Sequence, residues 1–76
     1  MSRTVADRIA FTFRIQAHGC ARAAIVRGWS FDPRDYVLTR DDLDWIARQV
    51  EQELGRPATA DEWTAAGRPE MAELYT

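Results

Sequence analysis

Lysine is absent from this chain, and histidine and cysteine occur once each, as His18 and Cys20. A single cysteine cannot form an internal disulfide, so a reducing compartment is expected. Zinc sites usually need several cysteine or histidine ligands at defined spacings, and two such residues are too few. The sequence therefore predicts no disulfide framework, no metal centre and no cofactor.

Long apolar runs and phosphate-binding glycine motifs are also missing. No stretch approaches the roughly 20 apolar residues that cross a bilayer, and the first residues lack the charged-then-apolar pattern of a signal peptide. The four glycines stand at 19, 28, 55 and 67, in no nucleotide-binding arrangement. We expect a cytoplasmic protein with no membrane partner.

Catalytic groups are equally scarce. Acyl transfer needs a nucleophile and a base that a third group orients. His18 and Cys20 could share one face of a strand, but no third residue is indicated. The sequence predicts a protein that is not an enzyme.

The clearest element is an amphipathic helix, the main helix of residues 39–54. Thr39 and Asp42 have the spacing of a capping box, and Gly55 followed by Pro57 marks the end. One apolar stripe recurs at three- and four-residue steps, formed by Leu43, Ile46, Ala47, Val50 and Leu54.

Residues 8–31 permit two interpretations. Apolar and polar residues alternate from Arg8 to Gln16, which predicts a strand, and His18-Gly19 would then turn the chain into a β-hairpin. The rival interpretation is helical, because Thr4 and Asp7 could cap a helix and the segment from Ala17 to Ala24 is rich in alanine. The strand alternation slightly favours the hairpin.

The remaining segments are shorter. Residues 28–34 (GWSFDPR) indicate a turn, and residues 36–38 indicate a third short strand or a lead into the main helix. Thr59 and Glu62 form another capping box, which predicts short helices within 59–75. Residues 54–63, LGRPATADEW, resemble helix connectors in bacterial sigma factors; any helix stop followed by a cap gives this pattern, so it implies no function.

Taken together, the patterns predict a small α+β protein with a single domain over residues 1–76. An N-terminal antiparallel hairpin would pack on the main helix, and two short C-terminal helices would follow. An all-α helical bundle is the alternative. With only 76 residues, such a chain would bury more surface by forming a homodimer or by binding a larger partner.

Charge is unevenly distributed along the chain. Residues 1–40 hold seven arginines against three aspartates, a net +4, whereas residues 41–76 hold three arginines against nine acids, a net −6. This indicates two faces of opposite potential, or halves that neutralise each other within one fold.

The main helix points to a protein partner. Trp45 falls nearly opposite its apolar stripe, and Arg48 follows one turn later; both residue types are enriched at binding hot spots. We expect a non-enzymatic module that binds a larger protein or ribonucleoprotein complex. Small inhibitors from phages or other mobile elements, such as anti-CRISPR proteins, have this size and acidity. An acidic face would then block a nucleic-acid-contacting surface, with candidate residues Asp41, Asp44, Glu51, Asp61 and Glu62.

Nucleic-acid binding is the alternative function. In the hairpin interpretation, Arg8, Arg14 and Arg27 share the solvent face of the sheet with Trp29. Arginine and aromatic side chains on an open sheet hold single strands by phosphate contact and stacking. The acidic net charge makes this less favourable than a protein partner.

Overall fold

The computed structural model describes residues 3–30 and 32–76, and these form helices and connecting turns without any strand. The helices are α1 (Val5–Val26), α2 (Arg40–Leu54), α3 (Ala60–Ala65) and α4 (Pro69–Tyr75), with a short 3-10 turn at Pro33–Asp35. Residues 1 and 2 of the predicted domain, and residue 31 at the end of the predicted hairpin, lie outside the described residues. No helix in the described part of the chain combines the length and apolarity needed to cross a membrane.

The predicted α+β fold with its β-hairpin is wrong, because residues 5–26 form one continuous helix. Thr4 caps its start: the Asp7 backbone N–H donates to Thr4 Oγ1 at 3.1 Å, and the Asp7 carboxylate accepts from the Thr4 backbone N–H. The expected turn residue Gly19 lies inside the helix and has no positive φ. The strand-like alternation arises because both sides of α1 carry apolar residues.

The core lies where α1 meets the other helices. Its buried members are Ile9, Phe13, Ile46, Val50, Ala58, Trp63 and Met71. Every helix therefore supplies at least one buried side chain. Burial of these apolar groups is the main force that holds such short helices together, since helices of six or seven residues are not stable alone.

Helix α2 follows the sequence prediction. Its Thr39–Asp42 capping box is present, and Gly55 ends the helix with φ 75°. Ile46 and Val50 are buried, and Leu43, Ala47 and Leu54 pack partly buried against the core. The short C-terminal helices α3 and α4 are also present, with the Thr59–Glu62 capping box at the start of α3.

Two polar contacts show that α2 runs antiparallel to α1. Arg8 near the start of α1 donates to the Glu53 backbone carbonyl at 2.9 Å near the end of α2. Gln16, farther along α1, accepts from Trp45 near the start of α2 at 3.0 Å. The contact partners thus run in opposite directions along the two helices, and the side of α2 opposite its core stripe is left facing outward.

Candidate functional site

The outer face of α2 is centred on Trp45, whose side chain is 49 % exposed. Asp41, Arg48 and Gln52 are also exposed and fall within about 60° of Trp45 around the helix, at about 100° per residue. We call Asp41, Trp45, Arg48 and Gln52 the α2 face. The face exists because the buried stripe of the same helix points the opposite way.

The indole of Trp45 is oriented by a hydrogen bond to α1. Its Nε1–H donates to Gln16 Oε1 at 3.0 Å, so one edge of the ring is fixed against α1. Trp63, by contrast, is a core residue with 2 % exposure. The C-terminal helices therefore use Trp63 and Met71 to fill the core, and half of the Trp45 side chain remains accessible.

The predicted acidic row offers less free negative charge than its five carboxylates suggest, because two of the five are already paired. Asp44 accepts a hydrogen bond from the Tyr75 hydroxyl and one from Arg40 Nε at 3.2 Å; these contacts, in that order, lower the pKa of Asp44. Glu62 accepts two hydrogen bonds from Arg56, both at 2.7 Å, and with the Thr59 cap they lower the pKa of Glu62 to about 2.

The other three predicted acids remain exposed. Asp41 and Glu51 lie on α2, and Asp61 lies on α3. Helix α3 packs on α1 and α4 and makes no close backbone contact with α2 in the described chain. Asp61 therefore does not extend a row along α2, and the negative surface consists of separate carboxylates.

The alternative nucleic-acid face required a sheet, which the described residues do not form. At about 100° per residue, Arg8, Arg14 and Arg27 point in three directions about 100–140° apart around the helix axis. Arg8 pairs with Glu53 at 3.2 Å, and the Arg14 guanidinium lies 5.5 Å from the Phe11 ring centroid. Trp29 follows the helix and packs edge-on against Tyr36, with 5.4 Å between the two ring centroids. These four residues do not form one surface.

His18 and Cys20 are likewise separated. Two positions along a helix correspond to a rotation of about 200°, so the two side chains point to opposite sides. Burial, followed by the charge of Asp42 and a hydrogen bond with it, raises the pKa of the Cys20 thiol, which lowers its thiolate content. Among the described residues, no group of three or more histidine, cysteine, aspartate or glutamate side chains could hold a metal ion.

The outer side of α1 was given no functional role from the sequence. Phe11, Ile15 and Val26 are exposed there, and a groove of about 420 Å³ between α1 and α2 has Phe11, Ile15 and Gln16 on its α1 side. The signal was present in the sequence, since Phe11 and Ile15 fall opposite Ile9 and Phe13 if the segment is helical. Assigning the alternation to a strand concealed it.

Comparisons with known protein families, with curated proteins and with solved structures found no match to this chain.

Proposed function

We propose that this protein is a non-enzymatic module that binds a larger protein or ribonucleoprotein complex through the α2 face and acts by covering the surface that it binds. The observation that carries the proposal is the half-exposed indole of Trp45, fixed by Gln16 and followed one turn later by exposed Arg48. A large aromatic side chain with a fixed orientation loses little conformational entropy on binding.

The surroundings of Trp45 also suit a protein partner. Gln52 and Arg48 provide donors at the rim, Asp41 provides an acceptor, and the groove between α1 and α2 adds the apolar side chains of Phe11 and Ile15. An apolar centre with a polar rim is the usual composition of a protein interface.

The inhibitory form of the proposal is supported by Asp41, Glu51 and Asp61, which are exposed and take part in no ion pair within the described chain. These carboxylates would oppose the cationic side chains with which a partner holds nucleic acid. A small inhibitor from a phage or another mobile element would act in this way. Such a protein would work in the cytoplasm, where its single cysteine stays reduced.

The test is a quantitative capture experiment followed by titration. The wild-type protein is immobilised, partners are captured from the native host, and each purified partner is titrated calorimetrically against variants. Trp45→Ala should weaken binding at least tenfold, which corresponds to about 1.4 kcal/mol. Leu74→Ala is the matched control, because Leu74 is an exposed apolar residue on α4, away from the α2 face. The Leu74→Ala protein should bind the partner with an affinity within twofold of wild type.

Two results would contradict the proposal. Equal losses for Trp45→Ala and Leu74→Ala would show that the α2 face does not bind the partner. Tight binding of random oligonucleotides by the protein alone, weakening steeply as salt is raised, would show a nucleic-acid-binding protein instead. For the inhibitory form, Asp41→Asn should reduce competition with nucleic acid for the partner while preserving side-chain size.

A further inference from the structure

A cleft of about 350 Å³ lies between α1, the segment around the 3-10 turn and the start of α4. The described residues that line it include none from the α2 face or from the groove between α1 and α2. Its volume lies within the range of about 300–1,000 Å³ that is usual for small-molecule sites. At about 30 Å³ per water molecule, the cleft has room for a ligand of about a dozen non-hydrogen atoms.

The floor of the cleft is apolar. Phe13, Ala17 and Ala21 recur on α1 at four-residue steps and line the cleft from that side. Tyr36 and Leu38, which follow the 3-10 turn, line it from the other side. The two alanine side chains are short, so they leave space beside the aromatic rings. A flat apolar group suits such a floor, because aromatic rings pack well against each other and against aliphatic side chains.

Cations from three different elements surround this floor. Arg22 belongs to α1, Arg34 to the 3-10 turn, and Arg68 to the start of α4. The ten described residues that line the cleft include these three arginines and His18, but no acid. Like charges that are gathered at one place repel each other, and a bound anion removes this repulsion. The charge of the cleft is therefore complementary to an anionic ligand.

Two of the three guanidinium groups are held in position by their neighbours. Arg68 lies over the Phe13 ring, 4.0 Å from its centroid, and its ion pair with Glu70 is 3.8 Å long, beyond hydrogen-bonding distance. Arg34 donates from Nε and Nη2 to Asp32, at 3.2 and 2.9 Å, and its Nη1 group can still donate to another acceptor. Nearby acids outside the cleft thus compensate part of the charge of these two arginines.

We propose that the cleft binds a small aromatic carboxylate, with the ring on the apolar floor and the carboxylate at the cationic rim, where Arg22 is its principal partner. Arg22 takes part in no ion pair in the described chain. A rim with one uncompensated cation suits a ligand with a single negative charge. A guanidinium group can bind a carboxylate through two parallel hydrogen bonds, which also fixes the orientation of the ligand.

An NMR titration of the isotope-labelled protein tests the proposal, with cinnamate as the probe. Cinnamate is a flat aromatic carboxylate of about 11 non-hydrogen atoms, and a ligand of this size should bind with a dissociation constant in the low millimolar range. The backbone amide signals of residues 17–22 and 34–38 should shift as it binds. Cinnamamide has the same shape without the charge, and it should bind at least about fivefold more weakly.

Arg22→Gln should weaken cinnamate binding at least about fivefold, because glutamine cannot supply the charge. Arg14→Gln is the matched control. Arg14 lies on the same helix, but its guanidinium is beside the Phe11 ring and outside the cleft. This control removes the same net charge and should bind cinnamate within about twofold of wild type. Ala17→Leu places a larger side chain on the floor, and it should weaken binding at least about tenfold.

Several results would overturn the proposal. Equal affinity for cinnamate and cinnamamide, or equal losses for Arg22→Gln and Arg14→Gln, would show that the rim does not recognise the carboxylate. Signals that shift only on the α2 face, or no shift at about ten times the expected dissociation constant, would show that the cleft is not the site. Inorganic phosphate that shifts the same signals at lower concentration than cinnamate would show that the apolar floor contributes nothing.

Discussion

Trp45 and Trp63 lie in helices of the same small protein, and the structure predicts very different costs for removing them. Trp63 is 2 % exposed and sits in the core among side chains from every other helix. Replacing a buried tryptophan with alanine costs about 3–5 kcal/mol. A domain of this length has a free energy of unfolding of about 4–11 kcal/mol, so Trp63→Ala should remove a large part of it.

Trp45→Ala should lower the free energy of unfolding by much less than Trp63→Ala. The side chain is 49 % exposed, so about half of the 150–250 Å² that a tryptophan can bury is in contact with the protein. At about 25 cal/mol per Å² this burial contributes at most about 2–3 kcal/mol. Alanine returns about 0.5 kcal/mol through its higher helix propensity. We expect a net loss of about 1–2 kcal/mol.

Urea denaturation at 25 °C, followed by helical circular dichroism, measures both losses on the same scale. Circular dichroism is preferred because each variant removes a fluorophore. The slope of unfolding free energy against urea should be unchanged, which shows that both variants start from the same fold. A Trp45→Ala loss as large as that of Trp63→Ala would refute the assignment of Trp45 to a binding face, because it would place the indole in the core.

Three further outcomes follow from polar contacts and backbone geometry. Asp42→Ala should lower the free energy of unfolding by about 1.5–3 kcal/mol, measured with urea, because the Thr39 backbone N–H loses its acceptor in the capping box and the Tyr36 hydroxyl loses its hydrogen bond at 2.6 Å. Asp41→Ala, the exposed neighbour, should change it by less than about 0.5 kcal/mol. An NMR titration of the Glu62 carboxylate should give a pKa of about 2. The stabilising effect of its charge is then complete above its ordinary value of 4.5 and is lost as the pH falls towards 2; a midpoint near 4.5 would contradict the ion pair. Gly55→Ala should cost about 1 kcal/mol in the same urea assay, because Gly55 has φ 75°; an unchanged midpoint would contradict the left-handed cap.

The helices α2 and α3 could be predicted because their limits are encoded locally. The capping residues Thr39 and Thr59 and the terminating Gly55 each act within a few residues of the helix end. Helix α1 was assigned wrongly to a hairpin for a tertiary reason. Phe11 and Ile15 lie on its outer side, so the apolar residues of α1 do not form the single stripe by which an amphipathic helix is recognised.

The candidate site was only partly accessible from the sequence. Helix periodicity predicted that Trp45 lies opposite the apolar stripe, but its 49 % exposure also depends on where the C-terminal helices dock, which no local pattern predicts. The pairing of Asp44 with Tyr75, across 31 positions of sequence, depends on how α4 docks, and no local pattern predicts it. The ion pair between Arg56 and Glu62 is more local, since only six positions separate the two residues. It still depends on the bend that Gly55 and Pro57 introduce, so the sequence did not predict it.

Three helices of this chain begin in the same way, with a threonine followed three residues later by an acid whose side chain returns the hydrogen bond. Each such start is complete within four residues and needs no help from distant parts of the chain. Helical turns can therefore be nucleated locally, while the six-residue α3 and the seven-residue α4 become stable only when they dock on the core. Chains of this kind have low contact order, so we expect refolding within microseconds to milliseconds and little exposure of unpaired backbone on the way.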